Sequence, residues 1–273
     1  MYRGYNMVDL RTQHDALIHR IWQHDAEYFG TMSQLTALDG YVLYANPGLA
    51  GRYDPNHVGL LRFGSDDTAA QIERLVAHFD ALRFDSVVYL DRMHRPHTLH
   101  DALHAAGFRP MLAWGQYDLM AVCDAVLPAP TACVLTHPSS LPEFRTWASL
   151  DGVDAFSDAD TMMALRITEC SSPAVSPTII WCDDAPAGRC LTYIHDGIGR
   201  IEGVYVDPLF RRRGLARAMV SAVAADIVAT GAIPYLFAEH TGDAQRIYQS
   251  IGFETLLENA VTTWVRPYRQ VPA

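Results

Sequence analysis

The sequence predicts an α/β (α+β) fold in which a meander of strands is followed by crossing helices, laid down twice along the chain. Three observations carry this expectation. Residues 131–273 alternate strand and helix patterns without interruption, residues 123–130 have the composition of a linker, and the first half repeats the element order of the second at a fixed offset. At 273 residues the chain has the length of one large domain or two ordinary ones.

The second half is the more legible. A short strand pattern at 131–136 precedes a helix at 141–149, begun by Ser139-Ser140 with Pro142 in its first turn, where a missing N–H costs nothing. A second helix is expected at 158–168. Strand patterns follow at 178–182, 190–194 and 200–206, with turn chemistry at 183–188 and at Asp196-Gly197. A long Ala-rich helix at 215–229, a strand at 233–238, a helix from Gly242 to Ile251 and strands at 253–257 and 261–266 complete the series. Pro128 and Pro130 make the preceding 123–130 stretch extended.

The first half echoes this order. Gly252-Phe253 closes the last helix, and Gly107-Phe108 closes a helix in the first half, an offset of 145 residues (253 minus 108). The same shift carries the 200–206 strand to about 57–61, the long helix to 68–82 and the 233–238 strand to 87–91. The expected domains are therefore 1–127 and 131–273.

Composition narrows the function. With 49% hydrophobic and 19% charged residues, the chain has the make-up of a soluble protein with a real core. No signal-like pattern opens it, and no apolar run reaches membrane-spanning length. Five cysteines, odd in number and without a C-x-x-C pair, suit reduced thiols, so a cytoplasmic location is expected. A net charge of −10 argues against nucleic acid as a partner.

Against that acidic background stands Val206-Asp207-Pro208-Leu209-Phe210-Arg211-Arg212-Arg213-Gly214-Leu215-Ala216. A strand leads in and a long helix leads out, so the turn leaves unpaired N–H groups at the positive end of a helix dipole. Three arginines sit beside it. That is a site for phosphate or pyrophosphate. No G-x-G-x-x-G follows the strand, and a Walker loop needs lysine, which this chain lacks entirely.

The V-x-P and R-x-x-G-x-A pattern resembles the acyl-CoA pyrophosphate loop of the GCN5-related N-acetyltransferases (GNAT). A second stretch, Thr241-Gly242-Asp243-Ala244-Gln245-Arg246-Ile247-Tyr248-Gln249-Ser250-Ile251-Gly252-Phe253, resembles that family's N-x-x-A-x-x-x-Y-x-x-x-G-F motif. The resemblance covers nearly all of 131–273. It implies the GNAT fold, a mixed, mostly antiparallel sheet flanked by helices, and acetyl-CoA or another acyl-CoA as co-substrate with no metal.

It also implies roles. Arg211, Arg212, Arg213, Gly214, Leu215 and Ala216 would anchor the pyrophosphate, and Val204, Tyr205 and Val206 would hydrogen-bond the pantetheine arm. Tyr248 would protonate the departing thiolate. Thr241 stands where the family usually has Asn, which weakens its claim to contact the cofactor and leaves helix capping as its plain role. Acyl transfer to an amine also needs a base. Glu202, on the strand before the loop, is the first choice, with a salt bridge to Arg200 as the plain alternative. The family often has its glutamate two residues earlier, where this chain has Arg200. His240 is the second choice and His195 the third. Gly203 could mark a bulge that re-aims these side chains.

In the first half the chemistry does not repeat. Arg211 corresponds to Asp66, Arg213 to Thr68, Gly214 to Ala69 and Tyr248 to Leu103. Ser65-Asp66-Asp67 would repel a pyrophosphate, so the first half is expected to be a degenerate copy without CoA. His94, His97, His100 and His104 recur at nearly helical spacing, but surface or partner-facing histidines explain them better than a metal.

The expectation is an N-acetyltransferase in which a small-molecule amine, with a cationic amine suiting the acidic chain, attacks the thioester directly. The acceptor would enter on the other side of the splayed strands, near the junction of the halves. The protein would act without nucleic acid or membrane, as a monomer or a homodimer. The competing expectation is a non-catalytic acyl-CoA sensor or regulatory protein.

Overall fold

A computed structural model describes residues 7–64, 67–112, 115–122, 134–150 and 159–268. The elements are, in order, α1 (Met7–Gly30), β1 (Gln34–Leu38), β2 (Tyr41–Ala45), β3 (His57–Gly59), α2 (Thr68–Leu82), β4 (Ser86–Asp91), α3 (Leu99–Ala105), β5 (Arg109–Pro110) and β6 (Gln116–Val122). The second half continues with β7 (Val134–Thr136), α4 (Leu141–Ser149), α5 (Ala159–Glu169), β8 (Val175–Cys182), β9 (Ala185–His195) and β10 (Ile198–Val206). It ends with α6 (Leu215–Ala229), β11 (Ile233–Glu239), α7 (Asp243–Gln249) and β12 (Phe253–Arg266).

The described strands form one continuous, mostly antiparallel sheet in the order β1-β2-β3-β4-β12-β6-β11-β10-β9-β8-β7, with β5 beside β12. Only β3/β4 and β10/β11 pair in parallel. Both fall at the same point of the element order, before and after a long helix, as a βαβ crossover requires.

The last strand of each half lies in the sheet of the other. β6 is inserted between β11 and β12, while residues 261–266 of β12 pair with β4 and touch β5. Residues 118–122 of β6 are buried without alternation, as suits a central strand covered on both faces. The two strands expected at 253–257 and 261–266 are one bent strand. Its register shifts twice near the bend, and Asn259 there takes φ 46° and donates its N–H to the buried Asp118 carboxylate at 2.7 Å.

Helices cover both faces. On one face α2 and α3 bury Ile72, Phe79 and Leu103 with Val88 and Leu90, and α6 and α7 bury Met219, Ile227 and Tyr248 with Leu236 and Phe253. On the other face α4 and α5 pack Trp147 and Leu165 against Ile179 and Leu191. α1 was not foreseen. Although it belongs to the first half, its Ile21 and Trp22 pack with Ile198 and Tyr235 of the second.

Several expectations meet the chain closely. α4 has Ser140 as N-cap, its hydroxyl accepting from the Glu143 N–H. The echoed helix is α2 at Thr68–Leu82, and the echoed strand expected at 87–91 is β4. The 123–130 linker, Cys123, Cys133, Ser65 and Asp66 lie outside the described residues. Cys170, Cys182 and Cys190 are free thiols. Among the described residues no helix is long and apolar enough to cross a membrane.

Candidate functional site

β10 and β11 are paired only where Ile198, Gly199 and Arg200 face Ile233, Pro234 and Tyr235. Beyond that they part. The cause lies in β10, whose register against β9 slips between Glu202 and Tyr205, with Gly203 at φ 60°. Gly203 is the bulge that the sequence suggested, and glycine takes that dihedral without strain. Past the bulge the Asp207 N–H donates to the Ala187 carbonyl and Tyr205 faces Arg189. By the alternation of an antiparallel ladder, the Val204 carbonyl and the Val206 N–H then point away from β9, into the gap.

The gap is a cleft of about 200 Å³ lined by Glu202, Gly203 and Val204 on one wall, Leu236 to Glu239 on the other, and Ala244 and Tyr248 from α7. At the end of β10 the chain turns through a short 3-10 helix capped by Asp207, whose carboxylate accepts the Leu209 N–H at 2.8 Å. Arg212 (φ 61°) and Gly214 (φ 79°) are left-handed, a curled backbone that turns successive N–H groups to one side. Gly214 is the N-cap of α6, and neither a capping side chain nor an acidic residue satisfies the first turn. Arg211, Arg212 and Arg213 are exposed there. Arg211 donates to the Val206 carbonyl, and Arg213 reaches Asp183 at 3.3 Å. Leu215 is buried and pins the helix start, while Ala216 is half-buried beside it. Open N–H groups, a helix dipole and three guanidiniums next to a cleft fit the pyrophosphate and arm of a CoA thioester.

Tyr248 is 7% exposed and lines the cleft. Burial pushes its phenol well above the ordinary range, and the nearby Glu202 carboxylate pushes the same way, so it stays protonated at neutral pH.

Glu202 stands at the boundary. Besides the cleft it lines a second cavity of about 440 Å³ at the junction of the two halves. One of its oxygens accepts two hydrogen bonds from Arg200, at 3.0 and 2.5 Å, and the other accepts the Gly203 N–H. Arg200 is buried, paired with Asp25 of α1 and stacked over Tyr28, with Phe29 and Phe237 also against it. The salt bridge weighed as the plain reading of Glu202 therefore exists, and it joins α1 to the strand wall.

The other expected residues are not brought in. His240 lines neither cavity; its Nδ1 bonds the buried Asp118 carboxylate of β6 at 2.8 Å, and Gln245 donates to the other Asp118 oxygen. Thr241 is exposed in the left-handed region at φ 62°, and Gly242, not Thr241, is the N-cap of α7. His195 lies near Glu27 on the exposed rim. His94 lies tilted beside His100 at 4.9 Å, and His100 is stacked on Trp264 at 5.5 Å. Among the described residues no group of three His, Cys, Asp or Glu side chains is placed to hold a metal ion.

Most of the larger cavity comes from the first half, through Asp25 and Phe29 of α1, the 51–54 loop, His57 and Tyr89. None of these was singled out in the sequence. The available signal was the apolar spacing of α1 across residues 17–29, which marks a helix with a buried face.

The position equivalent to the cleft in the first half is closed. β3 pairs with β4 at a single position, Val58 with Val88, and Leu60 just after it has a positive φ of 55°. The chain itself then fills the gap: the Arg95 N–H donates to the Leu61 carbonyl at 3.0 Å and the Phe63 N–H to the Arg95 carbonyl at 2.9 Å. Arg62 is clasped by Asp91 through two bonds of 3.1 Å. Asp67 N-caps α2 and accepts from Gln71, and Leu103 is fully buried.

Residues 186–265 match the family model described as FR47-like protein. No curated protein matches the chain in sequence. Among solved structures the chain is similar to a GCN5-related N-acetyltransferase from Kribbella flavida, at a TM-score of 0.68 and 18% identity over 90% of this chain and 93% of that one. It is also similar to a GCN5-related N-acetyltransferase from Sphaerobacter thermophilus, at 0.61 and 16% over 85% and 78%. A third likeness is to a tandem GNAT protein from the clavulanic acid biosynthesis pathway, at 0.53 and 12% over 79% and 76%. These likenesses establish the GNAT fold.

Proposed function

We propose that the protein is an acyl-CoA-dependent N-acyltransferase, most simply an acetyltransferase, acting on the amine of a small molecule held between the two halves. The observation that carries this reading is the position of Glu202, on the wall shared by the cleft and the junction cavity. The FR47-like match over residues 186–265 spans the cleft, the arginine turn and Tyr248, and supports the same reading.

When bound, acyl-CoA supplies an acyl group activated as a thioester. Arg211, Arg212, Arg213 and the N–H groups of 214–216 hold its pyrophosphate, and the Val204 carbonyl and Val206 N–H align its arm. The Glu202 carboxylate takes a proton from the acceptor's ammonium, directly or through water, leaving a neutral amine to attack. Tyr248, kept protonated by burial, gives its proton to the departing thiolate. The amide nitrogen loses its second proton to solvent, and the proton held by Glu202 passes through water to the Tyr248 phenolate, which restores both residues and closes the balance. Residues 1–127 act as a degenerate copy of the 131–273 domain that binds no CoA and walls the acceptor cavity instead. The fold does not require nucleic acid or a metal for any of these steps.

A second reading, an acyl-CoA sensor, draws on the Arg200–Glu202 pairing, because Arg200 and the Gly203 N–H already occupy both oxygens of the carboxylate. Thiol release from acetyl-CoA over an amine panel separates the two. Amine-dependent release that falls in Glu202→Gln supports the transferase, and tight CoA binding without release for any amine supports the sensor.

A further inference from the structure

The junction cavity has an unexplained pole. Asp54, in the loop before β3, is exposed and lines the cavity. Tyr89 donates its hydroxyl to one Asp54 oxygen at 2.6 Å. Above it His57 is sandwiched between Tyr44, at 4.4 Å, and Tyr89, at 4.2 Å, with the edge of Phe29 at 4.6 Å. Burial lowers the His57 pKa to about 3, so this wall is aromatic and neutral at physiological pH. Asp25, Asp54, Asp85, Asp91 and Glu202 line the cavity against Arg52 and Arg200. Arg200 is committed to Asp25 and Glu202, Asp91 is committed to Arg62, and Arg52 lies beside Asp54 without outnumbering the acids.

A carboxylate lining a cavity with an excess of acidic groups suits an organic cation. The charge pairs with the oxygen, and the Tyr44–His57–Tyr89 stack, whose inner ring faces cover one another, supplies an apolar, uncharged boundary beside it. Glu202, at the other pole, is already assigned to the reacting amine. We propose that the acceptor is a small dication, with its reacting amine at Glu202 and a second cationic group recognised by Asp54, beside the Tyr44–His57–Tyr89 stack. This rests on the acyl-transfer reading for the first pole only; recognition of the dication is a binding property of the first half. The cavity volume of about 440 Å³ is that of a small-molecule site. An α-amino acid would bring a carboxylate into this acidic excess and is disfavoured.

The test compares straight-chain diamines, from ethylenediamine to cadaverine, with alkylamines of equal length, using thiol release from acetyl-CoA. The best diamine should exceed its matched monoamine in kcat/KM by about 10- to 100-fold, the range of a charge-assisted hydrogen bond. Asp54→Asn should collapse that ratio toward one, and Tyr89→Phe, which removes only the hydroxyl, should lower it partway. A ratio near one in the unmodified protein, a ratio unchanged in Asp54→Asn, or a preference for an α-amino acid overturns the proposal. Calorimetry with tetramethylated diamines, which cannot be acylated to stable amides, reads binding without chemistry. Binding that weakens in Asp54→Asn supports the dication site even if no amine turns over, and no binding of any such diamine overturns it whether or not acyl transfer stands.

Discussion

The two parallel strand pairs of this molecule, β3/β4 and β10/β11, begin alike and end in opposite ways. Each pairs briefly and then parts at a residue with positive φ, Leu60 in one and Gly203 in the other. In the second half the gap stays open, with backbone polar groups of Val204 and Val206 facing it. In the first half the peptide at Arg95 bonds to Leu61 and Phe63 in the corresponding place, and the Arg62–Asp91 pair fastens the closure. Buried backbone groups must find partners. One gap is satisfied by the chain itself, whereas the other leaves groups for a ligand. The sealed half keeps its fold and contributes a wall, helix α1 and strand β6 to its neighbour.

The largest expected effect tests that closure. Arg62→Met leaves the nearly buried Asp91 carboxylate without its guanidinium and should destabilise the protein by about 3 kcal/mol, read from urea unfolding. The Arg95 peptide still fills the gap in this variant, so CoA stoichiometry should not rise; a second bound CoA would show that the salt bridge alone keeps the halves different.

Tyr248→Phe comes next. Turnover should fall about 100-fold with CoA affinity unchanged within about twofold, because a proton donor is lost and little packing is. Undiminished turnover would remove Tyr248 from the mechanism. Arg211→Ala combined with Arg213→Ala should weaken acetyl-CoA binding by about 10-fold through lost charge-assisted bonds, and its salt dependence should flatten. An unchanged dissociation constant would leave the helix end as the whole anion site.

The smallest effect concerns the aromatic wall. His57 is 1% exposed, and its pKa is lowered to about 3, below the ordinary 6.5, because burial disfavours the charged ring. The unfolded chain therefore binds more protons than the folded one between those values. Stability contributed by neutral His57 is present above pH 6.5 and is lost as pH falls, at up to about 1.4 kcal/mol per pH unit. His24, lowered to about 4 by burial and Arg200, adds in the same direction over a narrower window. His57→Phe should shallow the decline in stability between pH 6.5 and 5; an identical slope would mean that His57 is not the group titrating.

Motifs whose chemistry is local were legible in the sequence. The arginine turn, the Gly203 bulge, the Ser140 cap and the long helix at Leu215–Ala229 all follow from neighbouring residues along the chain. The offset of 145 residues also led to a helix expected at 68–82 and a strand at 87–91, where α2 and β4 lie. What remained hidden was non-local. Nothing in Gln116–Val122 indicates that it pairs with β11 instead of with strands of its own half, and nothing near Asp54 indicates that it lines one cavity with Glu202. His240 drew notice for standing at a strand end beside the motif, yet its partner, Asp118, lies 122 residues earlier on the exchanged strand.

The most direct test of the difference between the halves is a crystal structure with acetyl-CoA, backed by calorimetric stoichiometry. One molecule per chain is expected, with its pyrophosphate at residues 211–216, its arm along Val204 to Val206 and its thioester facing Tyr248 and Glu202. A molecule bound between β3 and β4, or no binding at all, would contradict it.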